Sequence, residues 1–430
     1  MVVFNENVAL HVNYHYGIFY KSRCLFRTFH SWGGQKTHIP GGRVTSAHND
    51  ESIIYLDNSA TSFPKPESVY QTLDHISRTC GANPGRGSYS LANQAAQLVL
   101  KARLAVASLF AIADCSRVVF TGNATSAINQ ALFGLLESGD RVVTTSMEHN
   151  AVARPLHALK ERGVIVDKVQ GDTAGQITCE QVQQVCSAGA KPKLVVINHC
   201  SNVTGTVQPI DAIGPWCREQ GILFMVDAAQ SAGVYPIDVQ GMAIDLLAAP
   251  GHKSLFGPQG TGFLYVGPDI TLKPLVYGGT GTLSSHLEQP EQMPERFESG
   301  TLNTPALAAL TAGIDFLMAQ GLGQVHRHEF LLAQRLRQGL GEISGITLYG
   351  PENATVVSFT LSGCDPAEMG FILDRDFAIA VRVGLHCAPE AHKTIGSFPL
   401  GTVRVSPGFF NTEQHIERLI EAVREIADAS

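Results

Sequence analysis

Short apolar runs alternate with amphipathic stretches along most of this chain, and this rhythm constrains the fold more than any other feature. The runs at 194–198 and 262–266 are typical of buried strands, whereas Ile128, Ala131 and Leu132 recur at helical spacing. Further strands are predicted over 118–120, 141–144, 222–227 and 245–249, with segments between them long enough for crossover helices. From residue 53 onward the rhythm predicts an α/β fold with a mostly parallel, doubly wound sheet.

The 430 residues are enough for two domains, since a single core stops growing near about 250–300 residues. After about residue 303 the hydrophobic pattern changes to longer helical segments, which indicate a smaller α+β domain. Its predicted strands lie over 355–360, 378–383 and 402–406. The predicted divisions are an N-terminal extension at 1–50, a large cofactor-binding domain at 65–303, and a small domain formed by 51–64 and 304–430.

The first 50 residues differ from the rest: they are aromatic, His-rich and basic, without a clear period. They contain no continuous apolar region followed by a cleavage site, as a secretory leader would. This composition favours a poorly ordered extension, or a misplaced start codon, over a targeting segment.

The net charge of −7 argues against nucleic acid or an acidic membrane as a partner. No apolar run reaches the roughly 18 residues of a membrane span. Nine cysteines are scattered without a C-x-x-C pair, which predicts a reduced, cytoplasmic compartment and no metal site. A small molecule or another protein is the expected partner.

Polar residues follow several predicted strands, where ligands of open α/β sheets collect. The sequence TGNATSAIN passes from a strand through a glycine into a helix start, and the Ala124–Thr125 step offers free N–H groups to an anion such as phosphate. An ordinary N-cap explains this motif equally well by itself. Asp227 ends the apolar strand predicted over 222–227, and Gln230 follows three residues later, so both could face one bound ring, although an isolated Asp there is usually a cap or turn residue.

Lys253 lies in a Gly/Pro-flanked turn between two predicted strands. The turn is not a nucleotide-binding P-loop, because His252 stands where that motif has glycine and no strand-helix phosphate cradle fits. Pyridoxal 5'-phosphate is bound by four kinds of group, and the sequence offers all of them: a phosphate-binding motif, an acid, a hydrogen-bonding side chain and a lysine. A buried Asp227 would keep the pyridine nitrogen protonated, and desolvation would keep Lys253 neutral and nucleophilic.

These motifs together closely resemble the class V aminotransferase family, and within it the cysteine desulfurases, especially the group that includes selenocysteine lyase-like enzymes. The resemblance covers nearly everything after residue 54. Its landmarks are YLDNSAT (55–61), NPGRG (83–87), TGNATSAIN (121–129), MEHNAV (147–152), SNVTGT (201–206), VDAAQSAG (226–233), GHKSLFGPQGTG (251–262), SGTLNTP (299–305), VRVGLHCAP (381–389) and TVRVSPGFFNT (402–412).

The resemblance implies a pyridoxal-phosphate-dependent transferase of fold type I in which Lys253 carries the cofactor and Asp227 meets the pyridine nitrogen. It places His149 over the pyridine face as a stacking and proton-transfer group; alone, this would more often be a structural histidine. Arg404 matches the residue that binds the substrate carboxylate, a task suited to a planar guanidinium. The remaining cofactor-binding residues that it implies are Gln230 and Asn202 at the phenolic oxygen, Ala124, Thr125 and His252 at the phosphate, and Thr280 at the phosphate of the neighbouring subunit in a homodimer.

Cys387 carries the most specific functional information, because a desulfurase needs a thiolate near the substrate sulfur. A lone cysteine is usually a small buried hydrophobe, but its place in RVGLHC resembles the family nucleophile. Arg382, a second predicted substrate-binding residue, and His386 would favour the thiolate by charge or hydrogen bonding. The resemblance then implies conversion of L-cysteine, or L-selenocysteine, to alanine. A persulfide forms on Cys387 and passes to an acceptor protein for iron–sulfur or other sulfur-containing products.

Pro250 departs from the family pattern, since many relatives have Ser or Thr three residues before the lysine to bind phosphate. A selenocysteine lyase or an aminotransferase on the same fold is the nearest alternative function. A non-catalytic, cofactor-binding scaffold is the alternative from another class. Lys253, Asp227 and Cys387 argue against that scaffold, and Cys387 argues against plain transamination.

Overall fold

The computed structural model describes residues 53–85 and 87–429, so the predicted extension at 1–50 lies outside the described residues. The helices are α1 (Glu67–Thr79), α2 (Ser90–Leu109), α3 (Ala124–Leu135), α4 (Asn150–Glu161), α5 (Cys179–Ser187), α6 (Ile210–Glu219), α7 (Thr304–Gln320), α8 (Leu322–Gly341), α9 (Pro366–Phe377), α10 (Pro389–Thr394) and α11 (Glu413–Ala429). The strands are β1 (Ile54–Tyr55), β2 (Val118–Thr121), β3 (Arg141–Thr145), β4 (Ile165–Val169), β5 (Leu194–Asn198), β6 (Leu223–Asp227), β7 (Leu246–Pro250), β8 (Gly262–Val266), β9 (Ile346–Tyr349), β10 (Val357–Leu361), β11 (Ile379–Ala380), β12 (Arg382–Gly384) and β13 (Thr402–Val405).

A seven-stranded sheet in the order β2-β8-β7-β6-β5-β3-β4 forms the centre of the larger part of the molecule. The strands β4, β3, β5, β6 and β7 pair in parallel, and β8 runs antiparallel to both of its neighbours, so the sheet is mixed. The α/β prediction is confirmed, and so are the six predicted strands of this sheet. β4 was not predicted because it lies at the edge and its sequence IVDKV is partly exposed, without the continuous apolar run of a central strand.

Both faces of the central sheet are covered by apolar side chains, which is why its strands are nearly continuous in hydrophobicity. On one face, Ile128 and Leu132 of α3 pack against the strands. On the other, Leu310 and Ile314 of α7 belong to the same core as the sheet. The helix that follows the predicted boundary at residue 303 is therefore packed on the large sheet, and the predicted domain limits stay a prediction.

A second, antiparallel sheet in the order β12-β13-β10-β9 packs against α8, α9 and α11 around Phe359 and Leu419. β10 and β13 correspond to the predicted strands over 355–360 and 402–406, while the run at 378–383 is divided into β11 and β12. β11 pairs in parallel with β1. This pairing brings the segment after residue 53 beside the strands of the small sheet's part of the chain.

The parallel strands end at one edge of the central sheet, and this edge collects the polar residues singled out above. Asn198 and Asp227 end β5 and β6 directly opposite each other, and Pro250 ends β7. Parallel strands converge at such an edge, so residues far apart in sequence meet there. The fold therefore predicts that the functional site lies at this edge.

No single helix in the described part of the chain is both long and apolar enough to cross a membrane. The consecutive helices α7 and α8, bent by 81° relative to each other, meet that criterion of length and composition as a pair.

A buried ion pair between Arg103 and Glu298 connects α2 to strand β2. We expect its loss to destabilise the fold strongly. Arg103 and Glu298 form two hydrogen bonds of 2.8 Å each, and Glu298 also accepts from the N–H of Phe120. Arg103→Met would leave the Glu298 carboxylate buried and unpaired, at a cost of about 3–5 kcal/mol. Urea unfolding of the cofactor-free protein measures the change.

The matched control is Arg335→Met, which breaks an ion pair with Glu417 whose side chains are 39% and 43% exposed. Exposed pairs contribute about 0–1 kcal/mol. Equal changes in the unfolding midpoint for the two variants would contradict the account of the Arg103 pair.

Candidate active site

The loop between β2 and α3 forms one end of a cavity at the carboxyl edge of the sheet. Asn123 caps α3 by accepting a hydrogen bond from the N–H of Ser126 at 2.9 Å. No carbonyl in the described chain accepts from the N–H groups of Ala124 and Thr125, as is usual for the first helical residues. Gly262 permits this arrangement, because a Cβ there would lie 2.8 Å from the Asn123 backbone. Free amides at a helix N-terminus favour an anion.

His252 lines the same cavity and has a buried Nδ1 without a partner among the described residues. Burial, together with the charges of Lys253 and Lys65, lowers the pKa of His252 to about 4. Its imidazole is therefore neutral at neutral pH and offers one ring N–H to a ligand. Pro250, which departs from the family pattern, also lines this cavity. The amides and His252 thus supply donors for a phosphate where Pro250 has no side-chain hydroxyl.

The cavity brings together residues from the carboxyl ends of five strands, β2, β3, β5, β6 and β7, and from the loops that follow them. Its walls are formed by Asn123, Ala124, Thr125, His149, Ala151, Asn198, Asn202, Asp227, Ala229, Gln230, Pro250, His252 and Lys253.

Asp227 and Lys253 are the carboxylic acid and the amine within this cavity. Burial raises the pKa of Asp227, while a hydrogen bond from the Ala229 N–H and the charge of Lys253 oppose the rise. Burial lowers the pKa of Lys253 to about 8, and Asp227 opposes that shift. A lysine with such a pKa has a substantial neutral fraction near neutral pH, which is what attack on an aldehyde requires.

His149 lines the cavity at the start of α4. Its Nδ1 accepts a hydrogen bond from the N–H of Ala151 at 3.0 Å, which caps the helix and assigns the ring proton to Nε2 in the neutral form. Burial, followed by the charge of Lys253, lowers the pKa of His149 to about 4. A neutral, oriented imidazole suits stacking on a flat ring.

Asn202 and Gln230 line the cavity and are held by backbone carbonyls outside it. The Asn202 Nδ2 donates to the carbonyl of His386 at 2.7 Å, and its buried Oδ1 has no partner among the described residues. The Gln230 Nε2 donates to the carbonyl of Ser59 at 3.0 Å. Each side chain therefore has a hydrogen-bonding atom left for a polar ligand inside the cavity.

Arg404 lies on β13, beside the cavity wall, with a side chain that is 2% exposed. Its Nη1 donates to the Asn202 carbonyl at 3.0 Å and its Nη2 pairs with Asp57, whereas its buried Nε has no partner in the described chain. Burial lowers the pKa of Arg404 and Asp57 opposes the shift. Asp57 was not predicted as a site residue, although it lies within the YLDNSAT landmark.

Arg382 of β12 lies directly opposite Arg404 across the antiparallel pair, so two guanidinium groups share one region of the sheet. The Nη2 of Arg382 lies 3.9 Å from the Sγ of Cys387. Cys387 is exposed and follows His386, and both residues have positive φ angles, 57° and 47°. Left-handed backbone at two consecutive non-glycine residues is strained and is often found at functional sites.

Two hydrogen bonds tie the Cys387 turn to the cavity wall. The N–H of Asn150, next to His149, donates to the Cys387 carbonyl at 2.8 Å, and Asn202 donates to the His386 carbonyl. The backbone of the Cys387 turn is therefore attached to Asn202 of the cavity wall and to Asn150, the neighbour of the cavity residue His149.

The predicted electrostatic role of His386 is wrong. Its ring is buried, with Nε2 at 3.0 Å from the Thr402 hydroxyl, and burial lowers its pKa to about 2. The imidazole is neutral, and what His386 contributes to the Cys387 turn is its backbone carbonyl. Arg382 supplies the positive charge.

Thr280 lies away from the cavity of its own chain. It is in an exposed loop, 3.2 Å from the hydroxyl of Thr282, and lines a surface groove together with Leu100 of α2. The prediction that it reaches the cavity of a neighbouring subunit stays a prediction.

Comparisons with known proteins agree with this geometry. The family described as aminotransferase class-V matches residues 54–419. The chain belongs to the class-V aminotransferase family. Among curated relatives, a probable cysteine desulfurase of Methanothermobacter thermautotrophicus is 37% identical over 87% of this chain and 94% of its own length.

Two solved structures of cysteine desulfurases are also similar to this chain. A cysteine desulfurase from Thermococcus onnurineus is 33% identical, covers 88% of this chain and 95% of its own, and has a TM-score of 0.83. A cysteine desulfurase from Escherichia coli is 26% identical at a TM-score of 0.79, covering 88% and 95%. Within its family the chain therefore groups with the cysteine desulfurases, and the predictions of the family, the fold type and an enzyme are confirmed.

The lowered pKa of Lys253 predicts its reactivity toward aldehydes. Reductive methylation of the cofactor-free protein with formaldehyde, followed by peptide mass spectrometry, should give a midpoint near pH 8 for Lys253, because burial favours the neutral amine. The control is surface Lys273, whose pKa is raised by its hydrogen bond with Glu137. A common midpoint for both lysines would contradict the shift.

Proposed function

We propose that this chain is a pyridoxal-phosphate-dependent cysteine desulfurase that converts L-cysteine to L-alanine and holds the sulfur as a persulfide on Cys387. The observation that carries the proposal is the attachment of the Cys387 turn to the cavity wall through Asn150 and Asn202. An aminotransferase has no use for a thiol at this place. The desulfurase names of the relatives support the same reaction.

The residues of the cavity fit the proposed cofactor. The α3 amides and the orphaned His252 nitrogen suit a phosphate, the orphaned Asn202 oxygen suits a polar ring substituent, and Asp227 suits a protonated pyridine nitrogen. Lys253 is the amine that attaches the group. When bound, pyridoxal 5'-phosphate supplies an electron sink for negative charge at the substrate α-carbon.

Arg404 and Arg382 orient the substrate. The unpartnered Nε of Arg404 gives it a free N–H for the substrate carboxylate while Nη1 stays fixed on the Asn202 carbonyl. Arg382, opposite on β12, adds a second positive charge. Two neighbouring guanidinium groups favour an amino acid carboxylate, and Arg382 lies beside Cys387, toward which the substrate side chain would extend.

Lys253 and His149 are the proton-transfer groups of the proposed reaction. Burial lowers the pKa of Lys253 to about 8 in the cofactor-free protein, so its free amine would serve as a base for the substrate α-proton. It later returns a proton to the carbon that becomes the alanine methyl group. His149, neutral and fixed by the N–H of Ala151, would assist this proton transfer from the cavity wall.

Cys387 performs the sulfur transfer. Its thiolate attacks the substrate sulfur, a sulfur–sulfur bond forms as the carbon–sulfur bond breaks, and the electron pair stays on the carbon. The products are alanine and a Cys387 persulfide, so no external oxidant is needed. Arg382 places a positive charge 3.9 Å from Sγ, where it attracts the anionic nucleophile. Because the turn is short and tied down, an acceptor protein must approach the exposed Cys387 to remove the sulfur.

Replacing Cys387 by Ala separates binding from sulfur transfer. The variant should still bind the cofactor and L-cysteine, because Lys253, Asp227 and Arg404 are unchanged. Alanine production should fall by about two to four orders of magnitude, since a covalent nucleophile is lost. Brief exposure of the wild type to cysteine should add sulfur to the Cys387 peptide in mass spectra.

Cys364→Ala is the matched control, because Cys364 is partly buried in the small sheet's periphery and its hydrogen-bond acceptor is the carbonyl of the adjacent Asp365. It should desulfurate at the wild-type rate. Wild-type turnover in Cys387→Ala, or sulfur on another cysteine, would refute the mechanism. Parallel assays with L-selenocysteine decide between desulfurase and selenocysteine lyase preference.

We further propose a homodimer that completes each active site. Leu100 and Leu104 of α2 are each 49% exposed, and Val276, Tyr277 and Leu287 are exposed in the loop that carries Thr280. Clustered exposed apolar residues favour a protein interface. This surface places Thr280 where a twofold partner would bring it toward the neighbouring cavity.

Mixing two inactive variants tests this sharing of residues. Thr280→Glu would repel the phosphate in the neighbouring site, and Lys253→Ala removes the cofactor link. Each alone should be inactive, while a mixture refolded together should recover about a quarter of the wild-type activity, because half the dimers are mixed and one of their two sites is intact. Thr282→Glu, in the same loop, is the control for charge alone. No recovery in the mixture would contradict shared sites.

The remaining biological context is also a proposal. The eight described cysteines that are free of disulfides support a reducing, cytoplasmic compartment. The sulfur would pass to an acceptor protein and from there to iron–sulfur clusters or other sulfur-containing products. No nucleic acid or membrane takes part in this scheme.

A further inference from the structure

The backbone carbonyl that precedes Lys253 is held by several donors from one segment of the chain. The His252 oxygen accepts from the Thr61 hydroxyl at 3.1 Å, the Ser62 N–H at 3.2 Å and the Lys65 ammonium at 3.1 Å. The Ser62 hydroxyl is also within 3.3 Å. A carbonyl has two lone pairs, so this set of donors exceeds what hydrogen-bond satisfaction requires.

The carbonyl of Lys253 itself is held as well. It accepts from the Ser62 hydroxyl at 3.0 Å and from the N–H of Phe256 at 2.9 Å. The peptide groups on both sides of the lysine are therefore fixed. Motion is left to the side chain.

Lys65 is an unusual member of this set. Besides the His252 carbonyl, its ammonium contacts the Ser62 carbonyl at 3.2 Å and the Ser62 hydroxyl at 3.0 Å. It forms no ion pair with any carboxylate of the described chain, and burial lowers its pKa to about 8. Holding a cation among neutral acceptors costs desolvation energy that a Met or Gln at this position would avoid.

The same segment is joined to the substrate side of the site. Asp57 pairs with Arg404, and Ser59 accepts from Gln230, a residue of the cavity wall. The residues from 57 to 65 thus connect the carboxylate-binding arginine to the backbone of the cofactor lysine.

We propose that Lys65 is a positioning residue that, with Thr61 and Ser62, fixes the peptide groups around Lys253 and so aligns its amine for attachment of the cofactor and proton transfer. The inference rests on the proposed function, in which Lys253 carries the cofactor. Misplacement of a reacting group by about 1 Å can lower the rate about a hundredfold. The gain in rate from correct placement can therefore outweigh the desolvation energy of the Lys65 ammonium at the His252 carbonyl.

A positioning role and a purely structural role predict opposite results for Lys65→Met. If Lys65 only holds the chain together, its removal lowers the unfolding temperature and leaves chemistry at Lys253 unchanged. If it positions Lys253, the thermal stability of the cofactor-free protein stays equal or rises, because an unpaired, partly buried cation is removed and Thr61 and Ser62 still satisfy the carbonyl.

The experiment compares Lys65→Met and Lys65→Arg with the surface control Lys273→Met. Each protein is loaded with pyridoxal 5'-phosphate, reduced with borohydride, and analysed by peptide mass spectrometry for cofactor fixed on Lys253. We expect the rate of fixation in Lys65→Met to fall about tenfold and kcat to fall about 10- to 100-fold, with little change in the KM for cysteine. Lys65→Arg, which keeps the charge and donors, should recover part of the loss, and the control should match the wild type.

Lower thermal stability of Lys65→Met with wild-type fixation and kcat would overturn the proposal. If Lys65→Met does not fold, Thr61→Val removes another donor to the same carbonyl without changing side-chain size, and it should slow fixation about threefold while Tm changes little; unchanged fixation in that variant also overturns it. Failure of the wild type to fix the cofactor on Lys253 at all would instead refute the proposed function.

Discussion

The structure depends on keeping Asp227 and Lys253 together in a buried cavity at the carboxyl edge of a parallel sheet. Burial pushes their two pKa values in opposite directions, upward for the acid and downward for the amine, and each partly restrains the other. Such a pair would be costly in an ordinary core. It becomes useful when a ligand supplies a protonated ring for the acid and an aldehyde for the amine.

Neutral hydrogen-bond donors and acceptors surround Asp227 and Lys253, and several of them have no hydrogen-bond partner in the described chain. His149 and His252 stay uncharged because burial lowers their pKa values, and Asn202 keeps a free oxygen. The two guanidinium groups lie beside the cavity on the small sheet, on the buried Arg404 and the partly exposed Arg382. In the proposed function, this separation lets neutral side chains surround the cofactor while the arginines attract a carboxylate and a thiolate.

Backbone contacts connect the parts of the site more than side-chain pairs do. The carbonyls of His386 and Cys387 attach the Cys387 turn to the cavity, and the carbonyl of His252 attaches the Lys253 loop to the segment before α1. These hydrogen bonds satisfy buried main-chain groups and join the small sheet to the large sheet around the cavity.

The sequence by itself determined the α/β class and six strands of the large sheet, because apolar periodicity is a local property of the chain. Its motifs, through the family resemblance, predicted Asp227, Lys253 and Cys387 as site residues, and the structure places Asp227 and Lys253 in one cavity with the Cys387 turn attached to its wall. It missed the edge strand β4, whose partly exposed sequence carries no strong signal. Only the tertiary structure decided the neutral state of the buried His386, the pairing of Asp57 with Arg404, and the convergence of Thr61, Ser62 and Lys65 on one carbonyl. Desolvation and long-range hydrogen bonds depend on which segments pack together, and no local pattern records that.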